Sequence, residues 1–162
     1  MSSASRTFTV SGENVTIAGG ATLVFINPDT DVGIEVLRCW ASQSGTDTSE
    51  QLRVGLHTQV STFPTLTTKV PVPHLLGETS KIIGGTAGAA GTSGINASAE
   101  GGGAKIIILP DNMNNLNGFL YIPTPEERMI VRAAASSGFG MQMIDTPTVL
   151  TGWSFGITFR EI

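Results

Sequence analysis

Charged residues are scarce in this sequence. Asp, Glu, Lys and Arg together make up 14 % of the 162 residues, whereas an average soluble protein has about 25 %. The hydrophobic share is an ordinary 40 %, and small residues, including 20 glycines, take the place of the missing charges. A protein free in the cytosol usually has a more charged surface. We therefore expect much of this surface to be covered by other copies of the chain or by partners.

Positive charge is the scarcer sign. The chain has nine Lys and Arg residues against 13 Asp and Glu residues, which gives a net charge of −4. The cations are scattered from Arg6 to Arg160 and form no basic run. Binding to phosphate backbones or to anionic lipid surfaces requires clustered cations. We therefore expect neither nucleic acid nor a membrane as a partner.

Cysteine is nearly absent. Cys39 is the only one, which excludes an internal disulfide and a cysteine-based zinc site and suggests maturation in a reducing compartment. It lies in the apolar run 36–40, where a buried and unreactive thiol is expected.

Targeting signals are missing as well. Residues 1–6 are small and polar, unlike a signal peptide, and no run of about 18 apolar residues occurs. We expect a soluble protein that is not exported through a cleaved signal, with a flexible N-terminal arm over residues 1–6 and a single domain over residues 7–162.

Helical periodicity is also lacking, whereas short β-branched and aromatic runs recur between turn residues. Residues 152–160 alternate most regularly, with Trp153 and Phe155 on one face. Residues 33–41 are partly apolar on both faces; strict alternation would place Val36 with Arg38, and Glu35 with Cys39. About eight strands at intervals of roughly ten residues predict an all-β jelly-roll sandwich, with an immunoglobulin-like sandwich as the alternative.

Two segments depart from this pattern. Pro71 and Pro73 cannot donate backbone hydrogen bonds, so residues 69–76 suit a sheet edge or an extended arm. Residues 84–103 are almost entirely Gly, Ala, Ser and Thr, with too little apolar area to offset the entropy of ordering. We expect a long Gly/Ala-rich loop there, mobile unless a neighbour holds it.

Catalytic patterns are not found. His57 and His74 are the only histidines, and they lack metal-ligand spacing. Alternation predicts His57 on the solvent or interface face of its strand. The Gly-rich stretch has neither the order of a phosphate-binding loop nor a following helix. We predict no catalytic residues, no metal and no cofactor, and thus no enzyme.

Two polar segments give a more specific indication of structure or binding than the overall composition does. Residues 42–54 and 120–128 combine hydroxyls, carboxylates and an arginine, the ingredients of a satisfied hydrogen-bond network. Glu50 or Glu127 could pair with Arg53 or Arg128 and lock a corner between strands, although a partner contact stays open. The candidate residues are Ser49, Glu50, Arg53, Glu126, Glu127 and Arg128.

The same two segments also resemble the sequence motifs of a known protein family. The pattern W-x-x-Q-S-G-x-x-T-S-E-Q-x-R-V over residues 40–54, followed by P-x-P-E-E-R over residues 123–128, resembles a family of small structural proteins of tailed bacteriophages. The likeness covers roughly residues 22–162 and is sharp in these two segments. The size and all-β pattern are similar to those of capsid cement or decoration proteins.

The resemblance implies a non-enzymatic virion protein, made in the host cytoplasm, that binds the major capsid protein on the capsid exterior and stabilises the assembled head. It also implies a homo-oligomer, for which we expect a trimer. The alternative is a tail- or fibre-associated adhesion module that binds host surface glycans. An adhesin should show an aromatic platform on its surface, whereas Trp40 and Trp153 both lie in runs typical of a core.

Overall fold

The computed structural model describes residues 6–45, 48–83, 90–133 and 136–162. Regular structure in these ranges is almost entirely β, and a single 3-10 turn, Pro125–Glu127, is the exception. None of the helical structure in these ranges is long and apolar enough to cross a membrane.

Twelve strands form in the described residues. They are β1 Thr7–Val15, β2 Thr22–Asn27, β3 Ile34–Gln43, β4 Gln51–Val60, β5 Thr65–Thr68, β6 Val72–Pro73, β7 Thr92–Ala99, β8 Lys105–Asn114, β9 Phe119–Tyr121, β10 Ile130–Val131, β11 Ser137–Met143 and β12 Trp153–Glu161.

The strands form two antiparallel sheets. Sheet A has the order β10-β3-β12-β1-β6, and β9 pairs with β3 beside β10; sheet B has the order β5-β7-β2-β11-β4-β8. The strand pairs are nested, since β1 pairs with β12, β2 with β11, β3 with β9 and β4 with β8. A long hairpin rolled up in this way is a jelly roll. The predicted all-β jelly-roll sandwich is confirmed.

The number of strands exceeds the expected eight. Eight strands make up the nested pairs, and β5, β6 and β7 are inserted between β4 and β8. Strand β10 adds a second short partner to β3. The inserted β6 lies at the edge of sheet A, as the two prolines of residues 69–76 predicted.

The core lies between the sheets and is filled by alternate residues of the long strands. Trp153, Phe155, Ile157 and Phe159 of β12 are all fully buried, which confirms the alternation seen in the sequence. Each buried side chain of this size contributes about 1.5–3 kcal/mol relative to an exposed one.

The expected loop over residues 84–103 is wrong for its second half. Residues 92–99 form β7, which pairs with β2 on one side and with β5 on the other; residues 84–89 lie outside the described part. A β-carbon on Gly94 would lie 2.6 Å from Cβ of Leu66. Small residues are therefore needed for close packing here, and hydrogen bonds on both sides of the strand compensate for its small apolar area.

The N-terminal arm differs from its expected boundary at one residue. Residues 1–5 lie outside the described part. Arg6 belongs to the domain, because its Nη2 lies 2.8 Å from Oε2 of Glu161 and its carbonyl accepts a hydrogen bond from the Glu161 amide.

Candidate interaction surfaces

The first predicted polar segment fixes one corner of the sandwich. The Glu50 carboxylate accepts hydrogen bonds from the amide and hydroxyl of Thr148, at 3.0 Å each. The Glu50 amide donates to Oδ1 of Asn115 at 2.8 Å, and Ser49 Oγ accepts from Nδ2 of Asn114 at 2.7 Å. These bonds join the start of β4 to the end of β8 and to the loop before β12.

Arg53 does not pair with Glu50, contrary to the sequence-based pairing. Its guanidinium contacts Asp145 at 2.6 and 3.0 Å, and its amide donates to the same carboxylate at 2.9 Å. Hydrogen bonds from Arg53 lower the pKa of Asp145. The partner lies 92 residues away along the chain, so spacing could not identify it. Arg53 also lines a surface pocket of about 370 Å³ with apolar walls that include Ile107 and Ile144.

The second predicted segment contacts the opposite end of sheet A. Arg128 Nη1 lies 3.2 Å from the carboxylate of Glu35, and Arg160 binds the other oxygen of that carboxylate. Burial raises the pKa of Glu35, but the hydrogen bonds from Arg128 and Arg160 outweigh it and leave the pKa below its ordinary value. The predicted pairing of Arg128 with Glu127 is therefore wrong. Glu127 accepts a hydrogen bond from the Thr124 hydroxyl at 3.2 Å, and Glu126 is exposed.

The two segments do not form one site. Glu35 lies at the start of β3, and Gln43 at its end accepts a hydrogen bond from Asn115, beside the first segment. At about 3.3 Å per residue these ends are roughly 26 Å apart. The six candidate residues therefore lie in two separate parts of the fold.

His57 lies on the outer face of sheet B as predicted, but it is fully buried. Phe25 covers this face, with Phe63 packed on it at 5.3 Å between ring centroids and His57 at 6.1 Å. Neither ring nitrogen of His57 has a hydrogen-bond partner. Burial and the charge of Lys105 lower its pKa to about 4. The covering loop after β4 carries no periodic signal, so the sequence could not predict this burial.

A partly buried ion pair lies near His57. The Glu100 carboxylate lies 2.6 Å from Nζ of Lys105 and accepts hydrogen bonds from the amide and hydroxyl of Thr22, also at 2.6 Å. Lys105 donates a further bond to Gln142 at 2.9 Å. Burial raises the pKa of Glu100, but these partners outweigh it and lower the pKa overall. The pair holds the loop before β8 against β2 and β11.

Trp40 lies on the outer face of sheet A, contrary to the expected core position. The register with β12 shifts between Arg38 and Val36, so Leu37 is an extra residue that reverses the alternation. Cys39 then faces the core while Arg38 and Trp40 face outwards. Gly156 lies beneath the indole, and the guanidinium of Arg38 is 4.8 Å from the ring centroid.

Polar side chains adjoin this indole. Thr158 is the cross-strand partner of Arg38, and its hydroxyl lies 2.9 Å from the hydroxyl of Thr9. Thr9 is in turn 2.8 Å from Nε2 of His74, which is exposed. The outer face of sheet A therefore combines an aromatic ring with a row of hydrogen-bonding groups.

Exposed aliphatic side chains concentrate on the strands at the edges of the two sheets and in the segments next to them. We define the β8–β10 side by five residues that are 45–66 % exposed: Ile106, Ile108, Leu120, Ile122 and Ile130. We define the β5–β6 side by four residues that are 42–95 % exposed: Val70, Val72, Leu75 and Leu76. Single exposed aliphatics are normal on protein surfaces, whereas clusters indicate contact sites. The sequence predicted an edge position for residues 69–76, but it could not place the apolar runs of β8 and β9 at edges.

The described part of the chain holds no group of three or more His, Cys, Asp or Glu side chains arranged to bind a metal ion. Comparison with protein-family models, with curated proteins and with solved structures finds no match to this chain.

Proposed function

We propose that this chain is a non-enzymatic structural protein of a tailed-bacteriophage virion, which cements the assembled head by binding the major capsid protein on the capsid exterior as a homo-oligomer. The motif resemblance of residues 40–54 and 123–128 supports the virion assignment. The observation that carries the proposal is the pair of exposed aliphatic sides on a compact jelly roll.

The exposed aliphatic clusters on both sides favour an assembled state over a free monomer. Burying such side chains gains about 25 cal/mol per Å² of apolar surface. The low charged fraction of 14 % acts in the same direction, because little charge has to be desolvated when two weakly charged surfaces meet.

The polar contacts at the corners of the sandwich support the cement role. Glu50 and Arg53 bind the loop before β12, and Arg128 holds Glu35 at the other end of β3. These contacts join distant parts of the chain at the corners of the sandwich, so the surfaces are formed before any partner binds. Preformed surfaces lose less conformational entropy on binding.

Mass action explains how such a protein would stabilise the head. A ligand that binds only the assembled shell stabilises that shell by its binding free energy. An oligomer that contacts several capsid subunits at once gains further from multivalency. No chemical step is required, and the thiol of Cys39 and the imidazole of His57 are both buried.

The test uses capsids stripped of the protein. Purified chain is added back, bound copies are counted by gel densitometry, and shell disruption is followed by heating with light scattering. We expect saturable binding and a higher disruption temperature. Binding to tails but not to heads, or saturable binding without any stabilisation, would contradict the cement role.

The alternative is a tail- or fibre-associated adhesion module that binds host surface glycans, and the half-buried Trp40 on the outer face of sheet A favours it. A saccharide ring can pack its C–H face on an indole while nearby hydroxyls bind its polar groups. Binding of the purified protein to host cells, before and after periodate oxidation of surface glycans, separates the two functions. An adhesin loses binding on oxidation and in Trp40→Ala, and retains it in Trp40→Phe.

A further inference from the structure

The outer face of sheet A has an apolar platform at one end. Trp40 on β3 lies between Leu120 on β9 and Gly156 on β12. Its indole is half-buried, because the ring lies against Gly156, and Leu120 is exposed beside it. An aromatic ring and an aliphatic side chain thus lie side by side on a face that is otherwise polar.

Arginines that are far apart in the sequence meet on this face. The guanidinium of Arg38 lies 4.8 Å from the centroid of the indole, and it forms no salt bridge with any described residue. Arg128 and Arg160 share the single carboxylate of Glu35. These four side chains together are positive, although the chain has a net charge of −4.

The platform and the arginines follow one line along two neighbouring strands. On β12, Gly156 lies opposite Trp40, and Arg160 lies opposite Glu35. At about 3.3 Å per residue, Gly156 and Arg160 are roughly 13 Å apart. Arg38 lies between these two ends, and Thr9 lies across β12 from it, about 10 Å away at two strand spacings. A short saccharide can cover this area.

We infer that the outer face of sheet A binds an acidic saccharide, a sugar chain that carries carboxylate groups. The C–H face of a sugar ring packs on the indole of Trp40, and the Arg38 guanidinium binds a carboxylate through charge-assisted hydrogen bonds. The exposed ring of His74, next to Thr9, donates to or accepts from a sugar hydroxyl. This inference goes beyond the cement role; it rests on the aromatic contact of the alternative function and names the charge of its glycan.

The same features disfavour other ligands. Nucleic acids bind through many phosphate contacts, and this face has too few cations for that. A purely apolar partner would cover Arg38 without giving it a counter-charge, which is unfavourable. Contact with the indole also restricts the Arg38 side chain, so less entropy is lost when it binds a carboxylate.

Three variants test the face. Arg38→Gln removes the charge, Trp40→Ala removes the aromatic platform, and the control Lys69→Gln removes an exposed positive charge next to β5 of sheet B. Circular dichroism verifies folding. Arg38→Gln changes an exposed side chain, so it decides the question alone if Trp40→Ala does not fold.

Isothermal titration calorimetry measures binding to a fixed set of ligands. The acidic members are oligogalacturonate and sialyllactose; the uncharged counterparts are methyl-esterified oligogalacturonate and lactose. We expect an acidic member to bind the wild type and Lys69→Gln about tenfold more tightly than its counterpart, as a charge-assisted hydrogen bond gives. Arg38→Gln should bind both equally weakly, and Trp40→Ala should bind neither. Tryptophan fluorescence should change on binding, since Trp40 is at the surface and Trp153 is fully buried.

Four results would overturn the inference. They are no binding of any acidic member, equally tight binding of the uncharged counterpart, unchanged binding by Arg38→Gln, and equally tight binding of an oligothymidylate, which would show attraction by charge alone.

The capsid test keeps this outcome separate from the cement role. Wild-type protein that binds capsids but no acidic saccharide would reject the inference alone. Protein that binds the saccharide but not capsids would reject the cement role and retain the inference. If both functions hold, Arg38→Gln should lose the saccharide and still saturate stripped capsids.

Discussion

Gly156 of β12 lies directly opposite Trp40 of β3, and a β-carbon on Gly156 would overlap the indole ring. Glycine in the middle of a strand is unfavourable by itself, so it marks a place where another group must approach the backbone closely. Here the group is the indole, which lies against β12 on the outer face of sheet A.

Replacing Gly156 by alanine should therefore lower the free energy of unfolding by about 1–3 kcal/mol, because the indole has to move off the strand. In a Trp40→Ala background the same change should cost clearly less, because the contact with Cβ of Ser11 at 2.9 Å remains and the overlap with the indole is gone. Urea denaturation of the four proteins measures both values. Gly102→Ala is the control, as nothing lies within 4 Å of its β-carbon. Equal losses in both backgrounds would show that the indole is not the cause.

His57 should make stability depend on pH. Its pKa is about 4 in the folded protein because burial disfavours the charged ring, and it is near 6.5 in the unfolded chain. The unfolded chain therefore takes up a proton first, and this contribution to stability is complete above about pH 6.5 and falls by roughly 3 kcal/mol as the pH drops to about 4.

The variant His57→Leu isolates this contribution. Between about pH 6.5 and 4 its unfolding free energy should decline less steeply than that of the wild type, because the variant has no imidazole to protonate. Urea titrations at several pH values give both curves. Parallel curves would mean that His57 has an unshifted pKa in the folded protein.

Glu35 should be important for stability, whereas Glu126 should not. Glu35→Gln removes the carboxylate between Arg128 and Arg160 and leaves two partly buried guanidinium groups without their counter-charge. We expect a loss of roughly 2 kcal/mol, below the usual value for a fully buried pair, because both arginines are partly exposed. The exposed Glu126→Gln should change the unfolding free energy by less than about 0.5 kcal/mol. Similar effects of the two variants would contradict this difference.

Cys39 should be unreactive in the folded protein. It is fully buried, and burial raises the pKa of its thiol far above the ordinary value, so little thiolate exists at neutral pH. Ellman's reagent should label no thiol in native protein and one thiol per chain in concentrated guanidinium chloride. Fast labelling of native protein would indicate frequent opening of sheet A.

Alternation within single strands was sufficient to predict the fold class. The pattern from Trp153 to Phe159 predicted a regularly alternating strand, and the structure buries all its large apolar residues. Pro71 and Pro73 predicted a sheet edge because a residue without N–H cannot pair on both sides. These features depend on neighbouring residues alone, and local sequence therefore determined them.

The tertiary structure decided which residues meet. Arg53 pairs with Asp145, which lies 92 residues away along the chain. Residues 92–99 form β7 because β2 and β5 both pair with them. One extra residue, Leu37, turns Trp40 from the predicted core face to the surface, since a shift of one position reverses every later side chain. The loop that carries Phe63 helps to bury His57 on a face that alternation had assigned to solvent or an interface. Pairing partners, bulges and covering loops arise from long-range packing, which no local pattern in the chain specifies.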